Sequence, residues 1–153
     1  MGYRSQVVLA VDEKIAPAFM AMLAKETGAH DLCFRDSDEV IAQYAEEGSF
    51  LFRWDHIKWY DSYPEVKAIE AFMEAANEND LSDYGEPESP MAERQVWKET
   101  VDPDNPTPND KVKSMVPTEW TEHFRFIRIG EDHGDVEEWG YGYDIYVQRA
   151  IEY

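Results

Sequence analysis

The stretch Gln6-Val7-Val8-Leu9-Ala10-Val11 decides the fold. Both of its alternating sets are apolar, Val7, Leu9 and Val11 on one and Val8 and Ala10 on the other, which is how a strand covered on both faces reads. It is therefore placed at the centre of a sheet. Downstream, Ile15, Phe19, Met22 and Leu23 recur at i, i+4, i+7 and i+8, with Pro17 tolerated at the first turn and Gly28 as a stop, so a helix is predicted over 16–27. The run from Asp31 to Arg35 alternates Leu32 and Phe34 and predicts a short strand, while Asp36 with Glu39 predicts a capped turn through Val40, Ile41 and Tyr44. After Gly48, Phe50, Phe52 and Trp54 alternate with Leu51, Arg53 and Asp55, and Ile57 and Trp59 continue on the opposite parity, so a long, bulged strand is expected. Ser62 with Glu65 reads as a capping box for a second helix, 65–76, whose apolar stripe is Val66, Ile69, Phe72, Met73 and Ala76.

Near the end, Phe124 and Phe126 against Ile127 and Ile129 mark a strand, Gly130 to Gly134 a turn, and Trp139, Tyr141, Tyr143, Ile145 and Val147 a last strand of period two. Together these elements predict one α+β domain over 1–153: a single sheet with two main helices on one face, in a ferredoxin-like or related sandwich. Between them, residues 80–118 hold six of the eight prolines, and residues 78–110 carry ten acids against two bases, net −8. This segment is expected to be an irregular, acidic, Pro-rich excursion and the least ordered part of the chain, with 91–100 able to form only a helical turn or two.

The whole chain has 33 acids and 14 bases, a formal charge of −19, with 43% hydrophobic residues. The hydrophobic content suffices for a core in 153 residues. The charge disfavours direct contact with nucleic acid or an anionic membrane, and suits solubility, cation binding or docking on a basic groove that normally holds nucleic acid. One cysteine, Cys33, allows no intrachain disulfide and fits a reducing cytoplasm. The opening residues lack the long apolar run of a signal peptide or a membrane span, so a cytoplasmic chain is expected.

No catalytic, cofactor or metal signature stands out. His30, His56, His123 and His133 fit no spaced zinc motif, and no glycine-rich phosphate loop precedes a helix. Glu131, Asp132, His133 and Asp135 come nearest to a metal set, but a plain solvated hairpin turn is the preferred reading of them. Two candidate surfaces follow. In the excursion, Arg94, Val96 and Trp97, with the acids Glu86, Glu88, Asp102 and Asp104, combine an aromatic, an arginine and carboxylates, and the first two types are enriched at binding hot spots. The competing reading is that Trp97 merely pins the segment to its own domain. The second surface is a small-molecule pocket lined by Trp54, Trp59, Tyr60, Tyr141 and Tyr143, with Arg53, Arg125 and Arg128 to grip an anion, as against plain core packing of the same aromatics.

Three islands, Met1-Gly2-Tyr3-Arg4-Ser5, Lys58-Trp59-Tyr60-Asp61-Ser62-Tyr63-Pro64 and Phe126-Ile127-Arg128-Ile129-Gly130-Glu131-Asp132, resemble a family of small acidic proteins encoded by tailed bacteriophages. The resemblance implies an accessory protein in the cytoplasm of an infected bacterium that binds and inhibits a host protein, including a component of a defence system, with nucleic-acid mimicry as one mode. It transfers no site residue. The alternative is a protein that binds, sequesters or acts on a nucleotide or metabolite.

Overall fold

The computed structural model describes residues 2–42, 47–85, 90–98, 104–105, 107 and 110–140. Five strands form one antiparallel sheet in the order β2-β3-β1-β6-β7, where β1 is Ser5–Val11, β2 Glu39–Ala42, β3 Phe50–Ile57, β6 Phe124–Gly130 and β7 Val136–Trp139. Three helices accompany it, α1 Ala16–Lys25, α2 Thr27–Phe34 and α3 Pro64–Asn77, and a separate two-stranded sheet pairs β4 Met91–Trp97 with β5 Lys111–Pro117. The single sheet expected from the sequence is thus two. The expected acids Glu86, Glu88 and Asp102, the tyrosines Tyr141 and Tyr143, and the last strand beyond Trp139 lie outside the described residues.

β1 sits at the centre, as its doubly apolar pattern requires, with β3 on one side and β6 on the other. Val7, Leu9 and Val11 join Phe52, Trp54, Phe124 and Phe126 and the buried residues of all three helices in one cluster, whereas Val8, Ala10, Leu51 and Ile127 form a smaller cluster from the other parity. The bulge foreseen in β3 is present. Between Ser5↔Ile57 and Val7↔Trp54, two steps along β1 match three along β3, and the extra residue is what moves Ile57 to the other parity.

Where the structure departs from the sequence reading, a competing local or tertiary term explains it. The first helix stops at Glu26, whose backbone leaves the helical region (φ −112°, ψ 83°), and Gly28 is not a stop but part of α2. That second helix replaces the expected strand at 31–35: Ala29, Leu32 and Cys33 are buried at helical spacing, and five residues are too few for period two to be distinctive. The capped turn expected at 36–44 is instead the strand β2, because Val40 and Ile41 pair with Phe52 and Leu51 across a ladder that sequence-local signals cannot show. The Ser62 capping box does not form. Tyr63 is the N-cap, without a side-chain bond, because Pro64 with its fixed φ opens α3 one residue later.

The largest correction concerns 91–117. Within the expected excursion, 91–97 is not a helical turn but a strand paired with 111–117, with seven pairs from Met91↔Pro117 to Trp97↔Lys111, while most of the connection between the two strands lies outside the described residues. Two of these, Val96↔Val112 and Ala92↔Val116, set β-branched residues in the ladder. The prolines are placed so as not to interrupt it, Pro90 just before β4 and Pro117 at the end of β5.

Candidate functional site

A two-stranded ladder has two faces, and alternation assigns them. On one face of the hairpin lie Met91, Glu93, Gln95 and Trp97 from β4 and Lys111, Lys113, Met115 and Pro117 from β5. Every one of these residues is exposed, Trp97 by 52% and Met115 by 53%. Of the six large apolar residues exposed among the described residues, four are on this hairpin, so its apolar content is not serving the core. The Lys111 ammonium sits 4.7 Å from the Trp97 ring centroid, a cation–π contact that holds the indole in a fixed setting without burying it. Val96 is half-buried on the opposite face, beside Arg94, whose guanidinium reaches Glu122 at 3.6 Å. Arg94, Val96 and Trp97 are therefore brought onto one strand, with Trp97 facing outward and the other two facing back. Asp104, in the connection between the strands, is exposed.

Charge is segregated along the chain. Residues 91–98 and 110–117 hold four bases, Arg94, Lys98, Lys111 and Lys113, against Glu93 and Asp110, net +2, so the rest of the chain sums to −21. The two strands are thus less acidic than the rest, although Glu99, Asp102 and Asp104 in their connection bring residues 91–117 as a whole to −1.

The base of the hairpin is held by a buried polar chain that no sequence motif announces. The Thr118 backbone N–H donates to the Pro90 carbonyl at 2.8 Å, closing the hairpin just outside its last pair. Thr118 Oγ1 lies 2.7 Å from His123 Nε2, and His123 Nδ1 lies 2.5 Å from Asp12 Oδ2. Asp12 in turn accepts the N–H groups of Lys14 and Ile15 through Oδ1, and its own N–H donates to the His123 carbonyl. His123 ends the 3-10 turn Trp120–His123, which is closed by a reciprocal Glu119–Glu122 capping box.

An Asp-His-Thr row at these distances has the outline of a nucleophilic triad, and two observations argue against that use. Thr118 is 7% exposed and its hydroxyl also donates to the Pro90 carbonyl at 3.2 Å, so it lacks access and its proton is drawn to a carbonyl and away from the His123 ring. The neighbouring N–H groups that would serve an oxyanion are taken, Glu119 by the Glu122 carboxylate and Trp120 by Asn79. The row is a clamp. It ties the hairpin to the end of β1 and the start of α1.

The aromatic pocket read from the sequence is divided by the sheet. Trp54 and Trp59 are buried, their rings 5.4 Å apart, with Trp59 5.7 Å from Phe126, and the Trp54 indole N–H donates to the Leu32 carbonyl at the end of α2. Tyr60 stacks obliquely on Tyr63. Arg53 and Arg125 pair in register with Val8 and Ala10, on the parity opposite to Trp54 and Arg128. Each of the three arginines also meets carboxylates: Arg53 those of Asp55 and Glu39, Arg125 that of Glu138, and Arg128 those of Asp135 and Glu137. Hydrogen bonding to Asp135, helped by Glu137 and opposed by burial, holds the Arg128 guanidinium well above its ordinary pKa, and the same bond, with one from Tyr3, lowers the Asp135 carboxyl to about 2.

Burial pushes the Cys33 thiol up, which leaves it protonated and unreactive. Glu131 accepts the Arg4 backbone N–H and Asp135 is spent on Arg128, and the described residues contain no cluster of three or more metal-ligating side chains. Among the described residues no helix is long and apolar enough to cross a membrane. Comparison of the chain with protein-family models, with curated proteins and with solved structures finds no match.

Proposed function

We propose that this chain is a non-enzymatic binding protein that engages a second protein through the outward face of the β4–β5 hairpin. The observation that carries the reading is the wholly exposed face that bears Trp97 beside Lys111 at one end and Met91 and Met115 toward the other, with Gln95, Lys113 and Glu93 between them. Tryptophan is among the residue types whose removal costs most at protein interfaces, and a cation-stacked indole loses little freedom on docking. The partner surface that fits has apolar ground for Trp97 at one end and for Met91 and Met115 at the other, with carboxylates opposite Lys111 and Lys113. Imitation of nucleic acid would need carboxylates at the contact, and this face has one, Glu93, beside two lysines. Inhibition of a host protein in the bacterial cytoplasm by a phage accessory protein is the setting that the three sequence islands favour. For the scaffold, a ferredoxin-like core is supported by the strand order β6-β1-β3-β2, all antiparallel, with helices in the β1–β2 connection and after β3.

The test is a photo-crosslinking residue at position 97, expressed in the host, followed by direct binding of the captured protein to purified variants. Trp97→Ala with Met115→Ser is expected to weaken that binding by more than about 2 kcal/mol, roughly thirtyfold, while leaving the unfolding midpoint almost unchanged. Full binding by a chain in which Pro90 is joined to Thr118 without the hairpin would end the proposal.

A further inference from the structure

A groove of about 330 Å³ lies at the end of β3, bounded by Leu32, Asp36 and Asp38 after α2, by Tyr63, Glu65 and Val66 at the start of α3, and by Arg4 and Lys58. With 33 acids for 14 bases, a basic side chain has carboxylates to choose from, and Arg35, Arg53, Arg94, Lys113, Arg125 and Arg128 each meet at least one. Among the described residues Arg4, Lys25, Lys58, Lys67, Lys98 and Lys111 do not, and of these Arg4 and Lys58 border the groove. Arg4 spends one guanidinium N–H on the His56 carbonyl, at 3.2 Å, which fixes the head over the groove. Lys58 is half-buried and its ammonium has no protein acceptor among the described residues, although its stem packs against Gly2.

The wall beside them adds donors. The 14-residue helix α3 opens at Tyr63 with no side-chain cap, Pro64 has no N–H to offer, and Glu65 and Val66 of its first turn line the groove. The acids of the far wall differ in state. Asp36 is taken by Arg35 through two bonds of 3.0 and 3.3 Å, and Asp38 accepts the Asp55 N–H through one oxygen at 2.6 Å, leaving its second oxygen and the Glu65 carboxylate as acceptors. We propose that this groove binds a small organic anion that also carries a hydrogen-bond-donating nitrogen, its acidic group on Arg4, Lys58 and the start of α3 and its nitrogen on Asp38 and Glu65. The volume is at the low end of ligand pockets, so the occupant is small. An α-amino acid and a nucleoside monophosphate share this chemistry.

Titration calorimetry of the full chain, with Trp54 fluorescence as a second readout, separates them using L-phenylalanine, adenosine monophosphate and inorganic phosphate as probes. One of the first two is expected to saturate with Kd below about 1 mM. Lys58→Met and Arg4→Met should each weaken it at least about tenfold, and Lys25→Met on α1 should not, with the unfolding midpoints of all three checked in parallel. Saturation by neither organic probe overturns the proposal. So does phosphate binding as tightly as the organic probe, since the acceptor wall would then contribute nothing, or full affinity in both groove variants. The hairpin is not involved, so failure here leaves the protein-binding reading intact, and the reverse holds.

Discussion

Replacing Asp12 by alanine tests the clamp that seats the hairpin. The carboxylate does two jobs. Through Oδ1 it accepts the Lys14 and Ile15 N–H groups ahead of α1, a cap-like role whose loss costs about 1 kcal/mol. Through Oδ2 it holds the His123 ring, which is 4% exposed, so the alanine variant leaves a buried N–H unsatisfied at a cost of about 1–3 kcal/mol. The total expected loss is about 2–4 kcal/mol. Asp12→Asn keeps an oxygen for the helix start and loses charge assistance to the ring, so it should lose about half as much. Thr118→Val removes the hydroxyl from the other end of the same ring, and a double-mutant cycle with Asp12→Ala should show at least about 0.5 kcal/mol of coupling. Urea unfolding followed by tryptophan fluorescence measures all four, with buried Trp120, 6.1 Å from the His123 ring, as a nearby reporter. A loss of under about 0.5 kcal/mol in Asp12→Ala, or strict additivity with Thr118→Val, would refute the clamp.

Leu23, 1% exposed in the cluster that joins helices to sheet, should cost about 2–5 kcal/mol when cut to alanine in the same urea experiment. Glu70 is pushed up to about 7 by burial first and then by its contact with Asp61, so the folded state holds that proton more tightly than the unfolded one. Its contribution to stability is present below about pH 4.5 and is lost as pH rises to about 7, and Glu70→Gln should raise the urea midpoint at pH 8 and leave it nearly unchanged at pH 4. Asp135, lowered to about 2 by Arg128 and Tyr3, works the other way: its contribution is present above about pH 3.8 and lost as pH falls through about 2. Asp135→Asn should therefore destabilise at pH 7 and lose its effect on acidification, as read by thermal unfolding across that range.

The parts of this fold that sequence made legible are those where a pattern is long or doubled. β1 announced its central place by being apolar on both parities, α3 by five stripe residues over three turns, and the β3 bulge by the parity switch before Ile57 and Trp59. α2 and β2 were hidden because eight and four residues leave too little periodicity to outvote a neighbouring signal, and because Val40 and Ile41 become a strand only against β3. The hairpin was hidden by composition. Ten acids and clustered prolines dominate residues 78–110, and the bases that complement β4, Lys111 and Lys113, lie just beyond that window. Of the candidate site, Arg94, Val96 and Trp97 were visible as residue types, while the outward orientation of Trp97 depends on ladder register. Asp12, Thr118 and His123 left almost no trace, since the ring's partners are 111 and 5 residues away, and only an aspartate just ahead of a helix hinted at one of them.

The hairpin leaves the fold and returns to it at nearly one point, where the Thr118 N–H meets the Pro90 carbonyl. A segment whose two ends already touch can be lengthened, exchanged or removed without moving the strands and helices on either side, because closing the gap asks little of the remaining backbone. The scaffold and the contacting surface are then separately variable: the five-stranded sheet is constrained by its packing, while the outward residues of β4 and β5 answer to nothing in their own domain. Such an arrangement leaves about eight surface positions free to drift at little cost to the core, and lets an experimenter transplant a foreign hairpin onto the same seat.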